Sequence, residues 1–190
     1  TNEPFGRWKV DITPNAPNFS IFGVRAPLVA SQELPGDDFL LLPFYGGVIV
    51  SDPLNAPPGS LVYQLDAQGI DYGPSRFGLQ LLSYWSRTDN ELLYFATNDT
   101  QGYVKRYPLE TVTSAGGKNL LLELEHIPVN NNTPNTAWSQ PYEVLVGAMR
   151  GDWYDAAQVY RSWAIEQSWV RRGKLETTTQ VSQGVKDAAL

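Results

Sequence analysis

From Phe19 to Met149, short apolar runs alternate with clusters of Pro, Gly, Asn and Asp, and no stretch of this span carries a helical period. Each interruption fixes φ, removes a backbone donor or favours a turn, so a chain punctuated in this way builds short strands. The runs are 19–24, 39–42, 45–50 and 61–65. A proline-rich loop at 52–59 and a Gly-rich connection at 68–74 separate them. Residues 77–85 alternate, with Phe77, Leu79, Leu81 and Trp85 on one face, and Thr88-Asp89-Asn90 turns them into 91–97. That pair carries the strongest hairpin signal in the chain. A turn at 98–102 leads to 103–107. A further turn at 114–117 leads to 119–127, where Leu120, Leu122 and Leu124 share a face with His126. The polar loop 130–140 precedes a last strand at 142–149. The expected fold is mainly β: an antiparallel β-sandwich or supersandwich, not a series of βαβ units.

One segment breaks the strand pattern. Trp153, Ala156, Ala157, Tyr160, Trp163 and Ala164 recur at i, i+3, i+4 and i+7, with Asp155, Gln158, Ser162 and Glu166 facing away. Gly151-Asp152 supplies a cap, and Asp155 places negative charge in the first turn, where the helix dipole favours it. The reading is therefore a sandwich over 1–150, one C-terminal amphipathic α-helix within 151–173, and a polar linker or tail over 174–190. The cluster Arg171-Arg172-Gly173-Lys174 sits just past the helix, where cations oppose the dipole.

Charge and composition narrow the function. With 14 basic against 20 acidic residues the net charge is −6, which argues against nucleic acid as a partner. No apolar stretch reaches the roughly 18–20 residues of a membrane helix, so no membrane partner is expected. The start of the chain carries no charged-then-apolar signal segment. Zero cysteines and one histidine exclude a disulfide framework, a thiolate nucleophile and the usual zinc sites, and no cofactor is expected. Six Trp, ten Tyr and seven Phe suit half-buried strands and sugar-binding platforms alike.

Two segments carry more than periodicity: Leu93-Tyr-Phe-Ala-Thr-Asn-Asp-Thr-Gln-Gly-Tyr-Val-Lys105, and Gly151-Asp-Trp-Tyr-Asp-Ala-Ala-Gln-Val-Tyr-Arg-Ser-Trp163 continuing to Trp169 and Gly173. Both resemble the N-terminal domain of large glycoside-hydrolase-like proteins, a galactose-mutarotase-like sandwich followed by a (β/α)8 barrel. Residues 39–43, Gly47 and Asp52-Pro53 resemble that family's opening strands less specifically. The resemblance runs from roughly Trp8 to Leu175, and the barrel's first strand is expected about where the chain stops. It implies a non-catalytic accessory domain of a carbohydrate-active protein, with the barrel as partner and carbohydrate as ligand. The alternatives are a stand-alone carbohydrate-binding module and a self-assembling structural sandwich. Location is left open, with an extracellular or periplasmic, bacterial setting favoured.

Glycoside hydrolysis needs two carboxylates held across one sugar. Glu123 and Glu125 share a strand face and read as solvated, Asp152 and Asp155 read as helix capping, and no catalytic residue is assigned. By the resemblance, Asp99 and Lys105 lie at a loop edge directed towards the barrel's cleft and are candidate sugar contacts. The alternative for them is a turn aspartate bonding its own backbone beside an exposed lysine. Trp85, Tyr84, Tyr103 and Trp138 lie near turns and are candidate stacking residues, Trp85 and Trp138 foremost. Trp153, Tyr160 and Trp163 are candidate docking residues. His126 reads as a structural histidine, since Glu125 points to the opposite face. Asn18-Phe-Ser20, Asn98-Asp-Thr100 and Asn131-Asn-Thr133 match the glycosylation acceptor pattern.

Overall fold

The computed structural model describes residues 4–34, 36–42, 44, 47–56, 70–72, 78–171, 179 and 182. The apolar run 61–65, the positions of Tyr45 and Phe77, the basic residues Arg172 and Lys174 and nearly all of the tail lie outside the described residues. The chain divides into two compact units, Thr1–Ala156 and Ala157–Leu190.

The first unit is an antiparallel sandwich. Its larger sheet holds β1 (Phe5–Trp8), β4 (Asp38–Leu42), β5 (Val48–Ser51), β7 (Leu81–Ser86), β8 (Glu91–Asn98) and β13 (Glu143–Arg150), in the order β1-β13-β8-β7-β4-β5. The second sheet is organised around β11 (Gly117–His126). β3 (Val24–Gln32) pairs along one edge of β11. β10 (Leu109–Ser114) and β9 (Lys105–Tyr107) share its other edge, and β6 (Ile70–Tyr72) follows β9. A two-residue ladder joins β2 (Asp11–Ile12) to β12 (Trp138–Ser139).

Side-chain alternation explains the layering. Leu40, Leu42, Leu82, Tyr84, Phe95 and Val144 from the larger sheet meet Tyr107, Leu109, Leu120, Leu122 and Leu124 from the smaller one. This is the two-sided apolar contact that holds aligned sheets together. The β7–β8 hairpin forms as the alternation requires, with Asn90 taking a positive φ in its turn. The expected face of β7 needs amending, however. Leu81 and Trp85 do share a face, but the opposite face, through Leu82 and Tyr84, builds the core, and all six residues of β7 are buried. A strand covered on both sides shows no contrast between apolar and polar positions.

Three expectations fail locally. Residues 19–23 are not strand, and Phe19 and Phe22 are exposed while Ile21 is buried. The strand begins at Val24 and crosses Pro27, where the register skips between Glu123 and Glu125 of β11, so the missing donor falls at an irregularity. The connection 68–74 contains β6. Glu123 and Glu125 are not a solvated face: both are largely buried, with Arg25 3.5 Å from Glu123 and Arg106 3.6 Å from Glu125.

The helical segment is two helices, α1 (Trp153–Ala164) and α2 (Ser168–Arg171), where the pattern had indicated one. The α1 cap is reciprocal. Asp152 accepts from the Tyr154 N–H at 2.7 Å, and Asp155 accepts from the Asp152 N–H at 3.0 Å. The division between units falls inside α1, so its first turn belongs with the sandwich.

Candidate functional site

The turn after β8 brings Asp99 back over the mouth of the sandwich. Its Oδ1 accepts from the N–H groups of Gln101 at 2.9 Å and Gly102 at 3.0 Å, and its Oδ2 from Tyr103 at 2.6 Å. Lys105, pointing inward from β9, donates to the same Oδ2, to Gln80 Oε1 at 3.1 Å and to the Tyr103 carbonyl at 2.9 Å. Gln80 in turn donates to the Asp99 carbonyl and accepts from Thr97. Burial pulls the Lys105 ammonium down to about 8, despite the opposing pull of Asp99.

This arrangement corrects the expectation for both residues. Asp99 does bond its own turn, but Lys105 is fully buried rather than exposed, and neither side chain is open to a sugar. Trp85 is likewise withdrawn from ligand. It is 3% exposed and stacks on Phe39, with centroids 5.5 Å apart.

Beside this network lies His126, at the end of the β11 face shared with Leu120, Leu122 and Leu124. Its Nε2 is 2.7 Å from the Ala26 carbonyl oxygen, which can only accept, so Nε2 carries the proton. Nδ1 therefore accepts from the Tyr142 hydroxyl, also at 2.7 Å. Burial, with a smaller push from the nearby Lys105 charge and against the pull of the Ala26 carbonyl, lowers the His126 pKa to about 4, so the ring is neutral. The Trp138 and Tyr142 rings each lie 5.5 Å from the imidazole. Tyr142 also covers the Lys105 ammonium at 4.5 Å, a cation–π contact inside the protein.

Over this assembly the surface forms a hollow of about 150 Å3, lined by Tyr103, Ile127, Val129, Trp138, Ser139, Pro141 and Tyr142. Of the stacking candidates the fold brings Tyr103 and Trp138 to this hollow and puts Tyr84 in the core, and at 9% exposure Trp138 offers only part of its ring. Tyr142, at the start of the last strand, carries no such signal in the sequence. What unites them is the polar floor, whose members come from β8, β9 and β11 and from the segments just before β7 and just after β8. A larger cleft of about 450 Å3 opens at the other end of the sandwich, among Ser31, Leu34, Leu92, Leu93, Ala148 and Met149, with Glu91 and Arg150 at its sides.

The docking candidates separate. Trp153 is 42% exposed and sits edge-on to Tyr154, which is also exposed. In the second unit Tyr160 is buried, which corrects its assignment as a docking residue, and Trp163 is half-buried. Tyr160, Trp163 and Trp169 form a chain of ring contacts at 5.3 and 5.8 Å, ending in exposed Trp169, with Ile165 and Val170 exposed as well. Among the described residues no group of three or more acidic or histidine side chains could hold a metal, and no helix is long and apolar enough to cross a membrane.

A protein-family model described as a domain of unknown function (DUF6259) matches residues 138–189, the stretch from β12 through both helices into the tail. No curated protein and no solved structure matches the chain.

Proposed function

We propose that this chain is a non-catalytic accessory domain of a carbohydrate-active, glycoside-hydrolase-like protein, and that its helical end docks on a partner domain. The observation that carries the reading is the helical end itself. Within a few residues it leaves Ile165, Trp169 and Val170 exposed beside the Tyr160–Trp163–Trp169 ring chain. Apolar side chains gathered in this way on a short helical segment mark a surface that another domain covers. The partner is the catalytic barrel implied by the motifs at 93–105 and 151–163.

The chain alone is expected to leave chromogenic glycosides uncleaved, because the carboxylates near the sandwich mouth are already committed. The two oxygens of Asp99 are taken by three backbone N–H groups and Lys105. The test is to mix the chain with a (β/α)8 barrel domain from a glycoside-hydrolase-like protein that carries the 93–105 and 151–163 motifs, and to measure binding by calorimetry. Tight binding that Trp169→Ser weakens about tenfold or more is expected, in line with the loss of one aromatic anchor. No binding, or binding indifferent to Trp169→Ser and Ile165→Ser, would remove the docking reading.

A second reading, a carbohydrate-binding module, is favoured by one observation. Trp138, Tyr103 and Tyr142 converge on a single hollow in the sandwich mouth.

A further inference from the structure

The hollow between Tyr103, Trp138 and Tyr142 is unusual in how it is held. Tyr103 is fixed on both sides of its peptide, its N–H by Asp99 and its carbonyl by Lys105. Tyr142 is fixed at its hydroxyl by His126, at its ring by the Lys105 ammonium and at its carbonyl by Gln140 Nε2 at 2.7 Å. Trp138 packs on the His126 ring. Each aromatic wall is thus tied to one buried polar network, which contains a charged lysine and a histidine kept neutral. Burying such groups is costly, and walls locked before a ligand arrives reduce the ordering cost of binding.

Charge decides what the hollow can take. Three aromatic walls would ordinarily suit a cation. Here the Lys105 ammonium already occupies the inner face of Tyr142, 4.5 Å from its centroid, and so opposes a second positive charge. An anion would lose its hydration against Ile127, Val129 and Pro141, and among the described residues no cationic side chain lines the hollow to replace it. A neutral ring that presents C–H bonds to Trp138 and keeps its hydroxyls towards water meets both conditions. At about 150 Å3 the hollow is on the scale of a single such ring. Val129 on its rim, 83% exposed, leaves the way in open.

We propose that this hollow binds a single neutral sugar ring through its C–H face, with His126 and Lys105 as positioning residues that hold Tyr142 and Trp138 in place. The proposal rests on the carbohydrate part of the reading above, not on docking. The titratable and charged groups on the same side as His126 are Lys105 on β9, Asp99 in the preceding turn and Tyr142 leading into β13. From β3 it meets the Ala26 carbonyl, and Glu125, Arg25 and Arg106 pair on the opposite face of the sheet. A proton added to His126 would stand against Lys105 and would end its acceptance of the Tyr142 hydroxyl.

The experiment is a titration of the 190-residue chain, followed at the Trp138 indole N–H by NMR, the signal being assigned with Trp138→Phe. The probes are methyl glycosides of glucose, galactose, mannose and fucose, tetramethylammonium chloride, and a short leucine- and proline-rich peptide. A shift produced by at least one glycoside and not by tetramethylammonium or the peptide is expected. Shifts from either of those two alone, or from none of the probes, would overturn the proposal. A chain that binds the barrel but no glycoside fails here and not in the docking reading.

The positioning role has its own readouts. Tyr142→Phe keeps the ring, loses the hydroxyl and should weaken glycoside binding about tenfold, on the scale of one lost hydrogen bond at a preorganised wall. Wild-type binding should fall as pH drops from 6 to 4, whereas folded His126→Gln should bind with little change over that range. Identical pH profiles for wild type and His126→Gln, or full binding by Tyr142→Phe, would overturn the positioning role. If His126→Gln does not fold, the Tyr142→Phe comparison decides.

Discussion

Lys105 donates to the carboxylate of Asp99 inside the sandwich mouth, with the two side chains 0% and 1% exposed. The pair closes the turn between β8 and β9 from within.

Breaking that pair from one side should be expensive. Lys105→Met leaves the Asp99 charge buried with only its backbone donors, and a loss of about 3 kcal/mol in unfolding free energy is expected. Adding Asp99→Asn should restore part of it, because the remaining amide carries no charge. Urea denaturation of the two single variants and the double variant measures the coupling, and strict additivity would contradict it.

The neutral His126 makes stability depend on pH in a defined window. Its pKa is about 4 in the folded chain and 6.5 in the ordinary case. Between those values the unfolded chain binds a proton that the folded chain refuses. The contribution is therefore fully present above about pH 6.5 and is lost as pH falls towards 4. It amounts to on the order of 3 kcal/mol. Thermal melts of wild type and His126→Gln at pH 7 and pH 4.5 should show the larger fall for wild type.

Gly147 is fixed by space. A Cβ at this position would collide with the Pro4 carbonyl and come within 2.6 Å of Phe5 Cδ1. Gly147→Ala should push β1 off β13, separate Phe5 from Tyr94 and cost about 1–3 kcal/mol. Hydrogen exchange should accelerate first at residues 5–8.

The start of α1 can be tested separately. Asp152→Ala removes the acceptor for the Tyr154 N–H and should cost about 1 kcal/mol, while Asp152→Asn should cost less. Circular dichroism during urea unfolding would resolve the two.

Local pattern revealed those elements whose neighbours in sequence are also their neighbours in space. The β7–β8 hairpin, β11 and the α1 stripe each announce themselves in this way, and the mainly β, antiparallel architecture follows from them. β3 was hidden because Pro27 interrupts it and its partner lies about a hundred residues away on β11, as the 100-residue separation of Ala26 and His126 shows. The candidate site was legible only in fragments. Trp138 was marked by its place in a polar loop and Lys105 by its motif, but burial made Lys105 a support and not a contact. Nothing along the chain shows that Tyr103, Lys105, His126 and Tyr142 meet, because an inward lysine and an outward one leave the same trace in a three-residue strand.

The pairing of β1 with β13 has a consequence during synthesis. Phe5–Trp8 leaves the ribosome well before its partners Val144–Gly147, which are made almost 140 residues later, given the 136-residue separation of Arg7 and Glu143. At ordinary translation speeds of about 5–20 residues per second, β1 waits roughly 10–30 s for its ladder. Once β8 has been made, the edge that β13 will cover stands open as well until β13 follows. The nascent chain therefore passes through a period in which an exposed strand template is available to neighbouring polypeptides, and a chaperone that shields it would raise the yield of folded protein.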